Sequence, residues 1–231
     1  MFIISEISPQ FGADLDVAEQ MILQSKLGGA NAAKIQLYPA DLFTENPSDY
    51  LISRELTFED FERLKNYGDR VGLPVFATAF TFDMLDWCVE LGQKYYKVAA
   101  RMHHESPELV KKIISCGETV FVSVPHDLDP KELKKATNCI FLYCTAQYPT
   151  LLEDMTFPDF RKSIFTGLSD HSLGVSAALY AASHGCQYLE KHFTLSYAMQ
   201  RSMEKAHLGA MDQEQLNLIS TLSKELSLYG E

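Results

Sequence analysis

Long apolar runs are missing from this chain of 231 residues, and none approaches the roughly 20 residues that a membrane-spanning helix requires. The N-terminus, Met1 to Ile7, has no basic leader, and its short apolar run ends in a glutamate, so a signal peptide is not expected. Basic charge is scarce as well. Twenty Lys and Arg stand against 31 Asp and Glu, a net charge of -11, and the lysines are dispersed among acidic residues, which excludes a broad nucleic-acid footprint. The five cysteines (Cys88, Cys116, Cys139, Cys144, Cys186) are odd in number and form no C-x-x-C pair, so reduced, buried thiols in a cytoplasmic protein are expected. No Pro/Gly/Ser-rich linker, G-x-G-x-x-G or P-loop pattern occurs. With 46% hydrophobic and 22% charged residues, the chain carries enough apolar surface for a core, and one domain over residues 1–231 is expected.

What is present is an alternation of short β-type runs with helical stretches, the signature of a parallel sheet with crossover helices. Eight strands are expected, over 2–6, 33–37, 75–79, 95–99, 119–124, 139–145, 164–168 and 187–193. Helices with one apolar face are expected over 15–27, 58–71, 82–91, 107–115 and 213–228. Thr57, Ser106, Asp129 and Asp212 are placed to cap first-turn amides, and Gly28-Gly29 to end the first helix. Pro149 and Pro158 leave at most a short helix after the sixth strand. The pattern is that of an α/β protein, a closed (β/α)8 TIM barrel, with an open doubly wound sheet as the alternative.

In such a barrel the chemistry sits at the C-terminal strand ends, and nearly every strand carries a polar residue there. They are Glu6, Lys34 with Gln36, Thr78, Lys97, Ser123, Thr145, Ser169-Asp170-His171, and Glu190 with His192. A lysine inside an apolar strand costs several kcal/mol to desolvate unless it meets an anion. Two partners satisfy that need for Lys34 and Lys97: a barrel carboxylate such as Glu6 or Glu190, or a phosphate-bearing substrate gripped also by Thr78, Ser123 and Ser169. His171 and His192 fall on neighbouring strands, either as divalent-metal ligands or as hydrogen-bonded rim histidines. His103-His104 reads as solvated loop, and Met84, Trp87 and Phe76/Phe80/Phe82 as packing.

Seven segments, in order along the chain, are similar to sialic acid (N-acetylneuraminate) synthases. They are Ser5-Glu6-Ile7, Lys34-Ile35-Gln36, Ala77-Thr78-Ala79-Phe80, Tyr96-Lys97-Val98-Ala99, Cys144 to Thr150, Gly167 to Gly174, and Leu189 to Leu195. The S-D-H-[ST]-x-G element followed by E-K-H-F-T-L is the most specific. The resemblance implies that phosphoenolpyruvate condenses with a sugar aldehyde to give a sialic acid-like 2-keto sugar acid, releasing phosphate. It casts Lys34, Gln36, Thr78, Lys97, Ser123, Ser169 and Asp170 as substrate-binding residues and His171 and His192 as ligands of Mn or Mg. That metal would polarise the aldehyde oxygen, with Glu6 beside it handling protons or water.

The departures from the family cluster on the sugar side. Gln10-Phe11-Gly12-Ala13 replaces Asn-His-Asn-Gly, Ala100-Arg101-Met102 replaces Ser-Gly-Glu/Asp, Ala146 stands for Ser or Asn, and Arg201 to Glu204 replaces Gly-Pro-Asp-His. Arg101 is expected to take over from the lost phosphate donor. The family's C-terminal antifreeze-like domain is expected to be absent, with a homodimer or separate lid subunit completing the site. Two rival readings remain: a non-catalytic sugar- or phosphate-binding relative or subunit of a two-component synthase, and a Schiff-base aldolase using Lys97 or Lys34.

Overall fold

In a computed structural model, described for residues 1–228 except 13, 43, 126, 127, 129–135 and 200–207, every anticipated strand forms. They are β1 (Phe2–Glu6), β2 (Ala32–Leu37), β3 (Val75–Ala79), β4 (Tyr95–Val98), β5 (Thr119–Pro125), β6 (Cys139–Cys144), β7 (Phe165–Asp170) and β8 (Tyr188–His192). The helices are α1 (Leu15–Gly28), α2 (Asp49–Ile52), α3 (Phe58–Val71), α4 (Phe82–Glu90), α5 (Met102–Glu105), α6 (Pro107–Cys116), α7 (Ser176–Ser183) and α8 (Gln213–Ser227). All the strand ladders are parallel, in the order β3-β2-β1-β8-β7-β6-β5-β4, so chain ends and middle meet in a (β/α)8 barrel.

Local chemistry sets the helix boundaries. Asp14 accepts the amides of Asp16 and Val17 at 3.0 and 3.1 Å, and Gly29 ends α1 at φ 95°, a conformation open to glycine. Thr57 and Asp60 form a reciprocal capping box at the start of α3, and Asp212 accepts Gln215 N at 2.9 Å. Ser106 departs from expectation. Its side chain makes no capping bond, and α6 begins instead on the fixed φ of Pro107. Asp129 lies outside the described residues.

The barrel interior follows the period-two alternation of its strands. Toward the N-terminal ends it is filled by Phe2, Ile4, Ala32, Phe76, Tyr95, Phe121, Ile140, Leu142 and Tyr188. Ring centroids lie 5.8 to 6.1 Å apart around Phe121 and its neighbours Phe2, Phe76, Tyr95 and Tyr188. These side chains close that end as a plug, and the fully buried ones contribute about 1.5–3 kcal/mol each. The β3–β4 seam carries no strand ladder among the described residues. There Gln93 stands in: its amide donates to Ala77 O at 3.1 Å and accepts Ala77 N at 2.7 Å, satisfying the β3 edge. No helix among the described residues is long and apolar enough to cross a membrane.

Candidate active site

Two residues further along most strands, the inward positions change from apolar to polar. Glu6, Lys34, Thr78, Lys97, Ser123, Ser169 and Glu190 form a buried polar layer directly above the aromatic plug, none of them more than 7% exposed. Most of these residues line a cavity at the C-terminal strand ends. Gln36, Cys144, Tyr148, His171 and His192 complete its inner wall. One rim therefore gathers Glu6, Lys34, Gln36, Lys97, Ser123, Ser169, Asp170, His171 and His192.

The buried lysines are met by carboxylates of the barrel. Lys34 Nζ donates to Glu6 and to Thr78 Oγ1 at 2.9 Å, and lies 3.4 Å from Glu190 Oε1. Lys97 Nζ donates to Ser123 Oγ at 2.8 Å and Val98 O at 2.9 Å, and lies 3.4 Å from Glu190 Oε2. Ser169 Oγ donates to Glu190 Oε2 at 3.0 Å. Glu190 thus joins both lysines. Burial alone would raise its pKa, but Lys97 and then Lys34 outweigh that and hold it down at about 2. Burial, reinforced by Glu190, pushes Glu6 up in spite of Lys34. Burial also pulls Lys97 below its ordinary value against the charge of Glu190, whereas Glu6 and Glu190 outweigh burial at Lys34 and keep it raised. Glu190 is therefore held ionised, and burial makes Glu6 the more readily protonated of the two.

His171 and His192 stand side by side, ring centroids 5.8 Å apart, with the Tyr148 ring 4.2 Å from His171. His171 Nδ1 lies 3.2 Å from Thr145 O, and burial lowers its pKa to about 4. The neutral ring donates from Nδ1 to that carbonyl and keeps its lone pair on Nε2, the arrangement of a metal-ligating histidine. Among the described residues no group of three His, Cys, Asp or Glu is placed to hold an ion. The donors present fit a two-histidine site with its remaining positions left to water or a substrate oxygen. Burial pushes the Cys144 thiol up to about 11, away from the thiolate form that a nucleophile needs.

Three expected residues act differently. Arg101 is not in the cavity wall; its Nε donates to Glu105 one turn on at 2.6 Å. Thr78 supports Lys34 rather than lining the cavity. The Asp170 carboxylate is engaged by Ser172 and by Lys191 at 2.8 Å. His103 is not in a solvated loop: it belongs to α5, its Nε2 3.0 Å from Ser123 O. Met102, where the resemblance places a sugar-binding carboxylate, is 1% exposed, its sulfur accepting Ala99 N at 3.4 Å. Glu190, anticipated only as a counter-ion, stands two residues before His192, and strand alternation alone puts the two on one face.

The sequence profile of the NeuB family matches residues 21–228. The chain belongs to the NeuB family. It is 30% identical over 216 residues to the protein MJ1065 of Methanocaldococcus jannaschii, covering 86% of this chain and 64% of that one. It is 25% identical over 263 residues to the N,N'-diacetyllegionaminic acid synthase of Legionella pneumophila, covering 99% and 73%. The chain thus spans about two thirds to three quarters of the length of these relatives. In fold it superposes on the N-acetylneuraminic acid synthetase of Leptospira borgpetersenii, solved with citrate, at a TM-score of 0.89 and 24% identity, over 100% of this chain and 85% of that one.

Proposed function

We propose that this NeuB-family barrel is a phosphoenolpyruvate-dependent synthase that lengthens an open-chain sugar aldehyde into a 2-keto sugar acid. C3 of phosphoenolpyruvate bonds to the aldehyde carbon, whose oxygen takes up a proton. Water adds at C2, the C2–O bond to phosphorus breaks, and a keto acid and inorganic phosphate leave. The observation that carries the reading is the convergence of Lys34, Lys97, Ser123 and Ser169 with His171 and His192 on one cavity, in a chain whose relatives include named sugar-acid synthases.

Lys34 and Lys97 bind the phosphate and carboxylate of phosphoenolpyruvate, with Ser123 and Ser169 as neutral donors. His171 and His192 would hold Mn or Mg, which supplies Lewis-acid polarisation of the aldehyde oxygen when bound. Glu6 orients the attacking water and takes its proton, a role suited to a carboxylate with a raised pKa. The aromatic plug below keeps bulk water from entering beneath the reacting carbons. The buried Met102 supports an acceptor other than N-acetylmannosamine.

The test is phosphate release on mixing the protein with Mn2+, phosphoenolpyruvate and a panel of sugar aldehydes. Release that depends on one aldehyde is expected. No release across the panel, together with no phosphoenolpyruvate binding by calorimetry, contradicts the proposal. A second reading, a Schiff-base aldolase, draws on the lowered pKa of Lys97, and borohydride trapping of substrate on that lysine would favour it.

A further inference from the structure

We propose that Asp170 and Lys191 form a positioning pair that sets the relative placement of His171 and His192. The inference rests on the reading of those histidines as metal ligands. Alternation turns Ser169 and His171 of the β7 end, and Glu190 and His192 of β8, toward the barrel axis, so Asp170 and Lys191, which border the same cavity, carry their side chains to the other side of the strands. There they are register partners, and both side chains are fully buried.

Every polar atom of the pair is used. Asp170 Oδ2 accepts Lys191 Nζ at 2.8 Å, and Oδ1 accepts Ser172 N at 2.8 Å and Ser172 Oγ at 2.7 Å. Lys191 Nζ donates again, to Ser172 O at 2.7 Å. The residues on both sides of His171 are therefore tied to the residue immediately before His192. The next turn is held from outside as well, since Thr150 N donates to His171 O at 3.1 Å and Met211 N to His192 O at 2.7 Å.

A fully buried ion pair is a poor source of stability, because desolvating both charges offsets their attraction and apolar residues of similar volume serve as well or better. What the pair supplies is geometry. Four directional bonds fix the phase of two strand ends in a way that leucines at the same positions would not. Hydrogen-bond partners that fix the placement of metal-binding histidines act on metal affinity.

The experiment uses the doubly neutral variant Asp170→Asn with Lys191→Met, titrated by calorimetry with Mn2+ and, separately, with phosphoenolpyruvate in the absence of metal. Mn2+ affinity is expected to fall about 10–100-fold, as when the hydrogen-bond partners of metal-bound histidines are lost, while phosphoenolpyruvate binding at the lysine end stays near wild type. If the double variant does not fold, Asp170→Asn alone, which keeps an acceptor for Ser172, is read by the same two titrations. Unchanged Mn2+ affinity, or Mn2+ and phosphoenolpyruvate weakening in parallel, overturns the inference. Wild-type protein that binds phosphoenolpyruvate but no Mn2+ overturns the metal reading first, and the positioning role with it.

Discussion

Glu190 is the residue on which the polar layer turns, because among the described residues it alone lies beside both lysines. Truncating it leaves two cations buried against one carboxylate. Glu190→Ala is therefore expected to destabilise the protein by about 3–5 kcal/mol, measured by urea denaturation, the range for removing one partner of a buried pair. Added phosphoenolpyruvate should recover part of that loss by supplying the missing negative charge, and a melting temperature indifferent to it would argue against an anion site there. Lys97→Met is expected to abolish metal-free phosphoenolpyruvate binding while leaving Mn2+ binding intact, by the same two calorimetric titrations. At this scale the lysines were legible, because a charge inside an apolar run demands a partner. Which partner was not, since pairing to Glu190 depends on the angular stagger of strands far apart in sequence. The pairing of Arg101, the N-cap of α5, with Glu105 was not legible either, because a four-residue helix leaves no periodicity to read.

At the scale of elements, two contacts hold the barrel where ladders do not. Gln93 bonds both backbone groups of Ala77, so Gln93→Leu should cost about 1–3 kcal/mol in urea denaturation, the penalty for orphaning buried amide partners. Gly209 packs against the turn that carries His171, where an added Cβ would lie 2.6 and 2.7 Å from the carbonyl oxygens of Ser172 and His171. No flexible side chain can yield there, so Gly209→Ala should weaken Mn2+ binding by shifting that turn, and equal Mn2+ affinity would show that the backbone adapts. The long elements were legible because apolar periodicity and capping residues agreed over ten or more residues. The short helices α2 and α5, four residues each, were not anticipated, and neither was the extension of β7 to Asp170. The run Ser169-Asp170 is polar and looks like loop by composition, yet it stays in the sheet because its side chains find Glu190 and Lys191.

Across the whole molecule, one alternation divides the barrel into an aromatic plug at the N-terminal ends and an ionic layer with two imidazoles at the C-terminal ends. A chain of net charge -11 can draw an anionic substrate only to such a local concentration of cations. The family and the barrel were both readable from motif order and strand spacing, whereas the sugar end was readable only as a set of departures. The departure at Arg201 to Glu204 falls outside the described residues. The most direct test is a crystal structure of the protein with Mn2+ and phosphoenolpyruvate. The account predicts the phosphate and carboxylate held by Lys34, Lys97, Ser123 and Ser169, with the ion on His171 and His192. An empty polar layer, or the two ligands bound apart from each other, would contradict it.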